Sequence, residues 1–175
     1  MNFKFFKNKF SESLDEVDEK SLLGLIKDLA LIRKRKGRVF CLGVGGSAAN
    51  AGHLVNDLRK LCNIEAYSAS DNVSELTARI NDEGWDSSYS NWLKVSNLNS
   101  KDALFVLSVG GGSIEKKISM NIVESLRLGK KRNCKIVGLV GRDGGYTKKV
   151  GNNVVVIKVD KKELVTPIVE AFQVV

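Results

Sequence analysis

Apolar residues recur near the start of the chain with the spacing of a helix. From Ser13 to Lys36, the residues Leu14, Val17, Leu22, Leu25, Ile26, Leu29 and Ile32 fall mainly three or four positions apart, which predicts one helix with a single apolar face. Gly37 stops it. The texture then changes. Val39-Phe40-Cys41-Leu42 is a continuous apolar run, as a parallel strand shows when both of its faces are covered. The same run returns at Ala103–Leu107, Ile136–Val140 and Val154–Ile157, with a weaker version at Ile64–Tyr67. Helices are predicted near Ser47–Leu61, Val73–Asn81, Asp86–Val95, Ser113–Lys131 and from Val165 to the end, with a short helical turn at Tyr146–Val150. Strands alternating with helices predict an α/β fold: an open parallel sheet between two helical layers, joined by right-handed crossovers and preceded by an extra N-terminal helix. Residues 1–36 are expected to form a helical segment packed on the domain or on a neighbouring subunit, and residues 37–175 the α/β domain. The one proline, Pro167, sits where the last helix begins, a position it tolerates well.

Composition narrows the classes. With 175 residues, 43% hydrophobic and 27% charged, the chain has the balance of a globular domain and is far from that of a disordered one. The formal net charge of +8 fits an anionic ligand or a nucleic acid. However, Arg33-Lys34-Arg35-Lys36, Lys130-Lys131-Arg132 and Lys161-Lys162 read as solvated helix ends and loops without interleaved aromatics, which argues against a nucleic-acid partner. Cys41, Cys62 and Cys134 have neither the number nor the spacing of a disulfide framework or zinc site, and Cys41 and Cys134 read as buried small residues. No apolar stretch approaches the ~20 residues of a membrane span, and Met1–Phe10 alternates Phe with Lys without a cleavable apolar core, so a cytoplasmic location is expected.

Two turns are candidates for chemistry. Gly43-Val44-Gly45-Gly46-Ser47 follows the first core run and opens a helix, so backbone and helix amides together form a seat for an anion; a plain strand-to-helix turn with Ser47 as N-cap is the alternative. The G-x-G-G-S spacing does not match a dinucleotide fingerprint. Ser108-Val109-Gly110-Gly111-Gly112-Ser113 repeats the arrangement, and the entropy cost of ordering three glycines weighs against a purely structural turn. Both turns are expected at the carboxyl ends of neighbouring strands, facing one crevice. His53 and Asp57, four apart on the helix after Ser47, share a face and suit acid–base work or divalent-metal binding, or form a simple surface pair.

Five blocks in order, G-V-G-G-S-A-A-N-A-G-H-L-V-N-D-L at 43–58, N-D-E-G-W at 81–85, L-S-V-G-G-G-S at 107–113, G-L-V-G-R-D-G-G at 138–145 and T-P-I-V-E-A-F-Q at 166–173, resemble the phosphoheptose isomerases of the sugar isomerase (SIS) domain superfamily. The resemblance implies a five-stranded flavodoxin-like sheet and a homotetramer with active sites between subunits. It also implies conversion of sedoheptulose 7-phosphate to a heptose 7-phosphate for surface polysaccharide. Carried over by motif, Gly45, Gly46, Ser47, Ser108, Gly110, Gly111, Gly112 and Ser113 would hold the phosphate, with Asp82 and Arg59 near the sugar. Asp57 would stand where the family has a glutamate base, His53 would line the catalytic end, and Glu170 would replace a common glutamine. No cofactor is required, although some members bind zinc, for which His53, Asp57 and Glu170 would be the ligands.

The departures are informative. Val109-Gly110-Gly111-Gly112 replaces a hydroxyl-rich phosphate loop, leaving mainly backbone donors. Asp57 is one methylene shorter than the family's base; a setback of about 1.5 Å is on the scale that can cost catalysis ~100-fold unless the site closes up. His53 is the single histidine, whereas the family carries a second, catalytic one in its last helix, expected a few residues past Val175. The polypeptide is therefore expected either to continue or to have given up much of the isomerase activity. The competing reading is a non-catalytic module that binds a phosphosugar or docks another protein.

Overall fold

The computed structural model describes residues 2–174. The five apolar runs form five strands: β1 (Val39–Leu42), β2 (Ala66–Ser68), β3 (Ala103–Ser108), β4 (Lys135–Gly141) and β5 (Asn153–Ile157). They make one parallel sheet in the order β2-β1-β3-β4-β5. The weak second strand starts two residues later than its apolar run, at Ala66, where the Val39 amide donates to the Glu65 carbonyl at 2.9 Å as the first rung of the parallel pairing. With a side-chain period of two, Val39, Cys41, Ala103, Phe105, Leu107 and Val137 enter one core, and Phe40, Leu42, Leu104, Val106, Ile136 and Val140 enter the other. Burial on both faces is why these segments read as continuous apolar runs.

Eight α-helices flank the sheet: α1 (Phe3–Asp15), α2 (Glu19–Lys34), α3 (Gly46–Lys60), α4 (Val73–Glu83), α5 (Trp85–Val95), α6 (Met120–Lys131), α7 (Gly145–Val150) and α8 (Val165–Phe172), with a 3-10 turn at Lys162–Leu164 leading into α8. Residues of α2, α3 and α8 fill the first core, and those of α5 and α6 the second. Among the described residues no helix is long and apolar enough to cross a membrane.

Two helices differ from expectation. The predicted helix over 13–36 is two helices, because Asp18 breaks the run and caps α2 through the Ser21 amide at 3.2 Å. The upstream segment joins α1, where Phe6 and Phe10 stack at 6.3 Å and Phe10 meets Phe172 of α8 at 5.0 Å. The Phe–Lys alternation concealed this i, i+4 pair. The apolar stripe of α2 is only half used within the chain: Leu25 and Ile32 are buried, whereas Leu22 and Ile26 remain exposed. The second difference is α6, which begins at Met120 instead of Ser113; residues 113–119 form a looped excursion closed by an antiparallel bridge between Ser113 and Ile118.

The N-terminal ends of β1 and β3 are tied by one buried carboxylate. Asp102, 1% exposed, accepts from the Arg38 amide at 3.0 Å, Arg38 Nε at 3.2 Å, Arg38 Nη2 at 2.8 Å and the Asn99 amide at 3.0 Å. Removing one member of such a pair leaves unpaired donors in a desolvated place. Asp102→Ala is therefore expected to lower unfolding free energy by about 3–5 kcal/mol, measured as a fall in the urea midpoint.

Candidate functional site

The strand order sets the site. From β1 the chain moves outward to β2 and then returns across β1 to β3, so the connections leaving β1 and β3 diverge to opposite sides and open a crevice at the strands' carboxyl ends. The turn after β1 occupies one wall. Gly45 has φ 63° and ψ −129°, a conformation that disfavours any side chain, and it is the N-cap of α3 with no side-chain cap. Ser47 is thus not the cap; it lies inside the helix, 2% exposed. Among the described residues the amides of Gly46 and Ser47 have no backbone acceptor, as the first amides of a helix do when they await an outside partner. Tyr89 of α5 fixes the base of the turn: its hydroxyl, in a site where burial pushes its pKa up to about 12, donates to the Gly43 carbonyl at 2.7 Å.

The last helix covers the same end of α3. The Glu170 carboxylate lies directly against Gly46, where a β-carbon would collide with it. Asn50 Nδ2 donates to the Glu170 carbonyl at 3.1 Å and to Gln173 Oε1 at 3.0 Å. Those two bonds orient both amides, and they leave Gln173 Nε2, although buried, without a partner among the described residues.

The turn after β3 forms the other wall, and its glycines answer to packing. Gly111, at φ 69°, has no room for a β-carbon because the Gly144 carbonyl lies against it. Its own carbonyl accepts from the Thr147 amide at 2.9 Å and from Thr147 Oγ1 at 2.7 Å, and the Gly112 carbonyl accepts from the Tyr146 amide at 2.8 Å. Docking on α7 therefore requires at least Gly111, so the glycine run is structural in part despite its entropy cost. Ser108, buried, accepts the Gly111 amide at 3.0 Å. Ser113 exchanges backbone bonds with Ile118 at 2.9 and 3.0 Å and accepts the Lys116 amide on its hydroxyl at 3.2 Å, so it closes the excursion and does not open a helix. The amides of Gly110 and Gly112 have no protein acceptor among the described residues. Beside this turn, between residues 113–118 and 142–149, lies a cleft of about 530 Å³.

The remaining sequence-predicted residues lie elsewhere. His53 Nε2 and Asp57 Oδ2 are 3.2 Å apart, on an exposed face of α3. Asp57 is ten positions beyond Ser47, roughly 15 Å along the axis at about 1.5 Å per residue, and neither His53 nor Asp57 lines the cleft beside the turn after β3. Arg59 donates to the Ala66 carbonyl at 3.1 Å and lies 5.5 Å from the centre of the Tyr67 ring, tying α3 to β2. Asp82, on the exposed last turn of α4, accepts from Asn81 Nδ2 at 2.7 Å. Glu170 sits at the opposite end of α3 from Asp57, and among the described residues no three His, Cys, Asp or Glu side chains gather into a metal site. The zinc ligands implied by resemblance therefore do not fit a metal within one chain.

The model of the SIS domain matches residues 5–141. The chain is 29% identical over 157 residues to a phosphoheptose isomerase of Helicobacter pylori, covering 87% of this chain and 76% of that one. It is 31% identical over 151 residues to a phosphoheptose isomerase of Pelobacter propionicus, covering 81% and 76%. Its fold matches the structure of a phosphoheptose isomerase from Neisseria gonorrhoeae with a TM-score of 0.82 at 22% identity, over 98% of this chain and 88% of that one. The chain belongs to the phosphoheptose isomerase family of SIS domains.

In this SIS domain, sequence reasoning missed Tyr89, Thr147, Asn50 and Gln173, which hold the turns and the last helix in place. Asn50 and Gln173 lie within the blocks at 43–58 and 166–173, and Thr147 lies two positions beyond Gly144-Gly145, the glycine pair that lets another backbone approach, but none of these signals marked a contact. Tyr89 reaches its partner across 46 positions, and no local pattern marks such a bond. Substituting Tyr89→Phe is expected to cost about 1–3 kcal/mol by leaving the Gly43 carbonyl unpaired. Gly111→Ala is expected to cost more, since it adds left-handed strain to a backbone collision. Thermal unfolding of both variants would test that ranking.

Proposed function

We propose that the protein is an aldose–ketose isomerase of phosphorylated sugars, converting sedoheptulose 7-phosphate to its aldose. One observation carries the reading: two glycine turns close the carboxyl ends of adjacent parallel strands, and each has backbone amides without protein acceptors. Such amides suit a phosphate dianion. The names of the relatives support the choice of substrate.

The chemistry needs little beyond positioning and one base. In the ketose-to-aldose direction a carboxylate takes the proton from the first carbon, an enediol forms, and the proton returns to the second carbon while the hydroxyl hydrogen passes between the two oxygens. Asp57 is assigned this role, with His53 polarising the oxygens beside it. Because Asp57 stands roughly 15 Å along α3 from Ser47, the pair is assigned to the crevice of a second copy of the chain. The exposed Leu22, Leu23, Ile26 and Leu31 on α2 and Phe3 and Phe5 on α1 support such an assembly, since apolar residues grouped in this way mark an interface. A homotetramer without a required cofactor is the expected form, with zinc entering only if side chains from separate copies converge.

Asp57→Asn removes the base while keeping its shape. Conversion of sedoheptulose 7-phosphate by the full-length protein, followed by NMR of the sugar, is expected to fall roughly 10²- to 10⁴-fold in this variant. Undiminished turnover would remove Asp57 from the mechanism. Saturable binding without turnover by the wild-type chain would instead favour a phosphosugar-binding module.

A further inference from the structure

We propose that Arg142 is a phosphate-binding residue, supplying from β4 the positive charge that the glycine turn after β3 lacks. The inference rests on reading that turn as a phosphate seat. Gly110 and Gly112 present only neutral backbone donors, and the Gly111 amide is already given to Ser108, so a dianion held by this turn alone would keep its charge uncompensated. The cleft of about 530 Å³ beside the turn carries the missing charge: Lys116 on one wall, Arg142 and Lys149 on the other, with Gly110, Gly112 and Ser113 between.

Three observations single out Arg142. First, it lies nearest the turn: its Cδ passes 3.8 Å from the point where a side chain at Gly110 would begin. The Arg142 side chain is thus in van der Waals reach of Gly110, close enough for its guanidinium to serve a ligand held by the turn. Second, no carboxylate among the described residues lies within ion-pair distance of Arg142, Lys116 or Lys149. The carboxylate beside it, Asp143, is engaged by the Gly145 amide at 3.1 Å, and Glu115 stands on the far wall. Third, the acids that border Arg142 from its other side are largely taken. Lys9 pairs with Glu12 at 2.7 Å and with Asp160 at 3.1 Å, which leaves Glu16 as the remaining acid of that second cleft. A guanidinium is the group best shaped for this task, because its planar fork donates two parallel hydrogen bonds to phosphate oxygens, as an ammonium does not.

The test is titration calorimetry with inorganic phosphate at low salt on the full-length protein, comparing wild type, Arg142→Gln and Arg142→Lys, with urea unfolding of each. Loss of a charge-assisted, bidentate contact is expected to weaken phosphate binding roughly tenfold or more in Arg142→Gln. Arg142→Lys is expected to fall between, with urea midpoints unchanged. Phosphate binding by wild type that is unaltered in Arg142→Gln would overturn the assignment while leaving the turn as a seat. A lowered urea midpoint with unaltered phosphate affinity would assign Arg142 to the Glu16 side and overturn it likewise. Absence of phosphate binding in wild type would remove the seat itself and the inference with it.

Discussion

The two hydrogen bonds that Thr147 gives to the Gly111 carbonyl, with the one that Tyr146 gives to Gly112, set the geometry on which the crevice depends. A planar trans peptide points its carbonyl and its N–H in opposite directions, so drawing the Gly111 carbonyl onto α7 turns the Gly112 amide away from α7. The Gly112 amide, one of the two free donors of this turn, is thus oriented by a contact on its back. The same bonds satisfy amides in the first turn of α7 that would otherwise be orphaned, so a short helix and a glycine turn complete each other.

Charge is divided across the site in a way that composition conceals. The net charge of +8 looks diffuse along the chain, yet Lys116, Arg142 and Lys149 come from two separate stretches to rim one cleft. At the other wall the sign reverses, for the Glu170 carboxylate lies against Gly46 at the start of α3. A helix N-terminus favours such a carboxylate, so a phosphate bound there as proposed would meet an acid already in place. The amides on the β3 side, with cations nearby and no carboxylate against them, are the less contested half.

Much of the fold was legible because a parallel sheet buried on both faces writes itself as unbroken apolar runs. All five runs became strands, and α3 and α5 began within one residue of expectation. The N-terminal helices were legible only in part. The apolar period continues through Val17, so nothing in it marks the break at Asp18, which is a matter of capping. The excursion at 113–119 was hidden for a related reason: Ile114 and Ile118 keep a helical interval of four while standing on a loop, exposed to solvent. At the site, the pairing of His53 with Asp57 followed from helical spacing alone. Its distance along α3 from the turn after β1 followed from the same spacing once rise per residue was counted. Arg59 and Glu170 were visible as residue types but not as contacts, since Arg59 spends its guanidinium on β2 and Glu170 reaches its neighbour from the far end of the chain.

Gly46 is confined by a carboxylate and Gly111 by a carbonyl, so the mechanical demand for both would outlive the chemistry they serve. A descendant that had retired from catalysis would still spell the glycine signature, held to it by its own architecture. Working and retired copies of such a domain would differ instead at positions like Asp57 and Arg142, which neither turn needs for its packing and which the proposed substrate would reward.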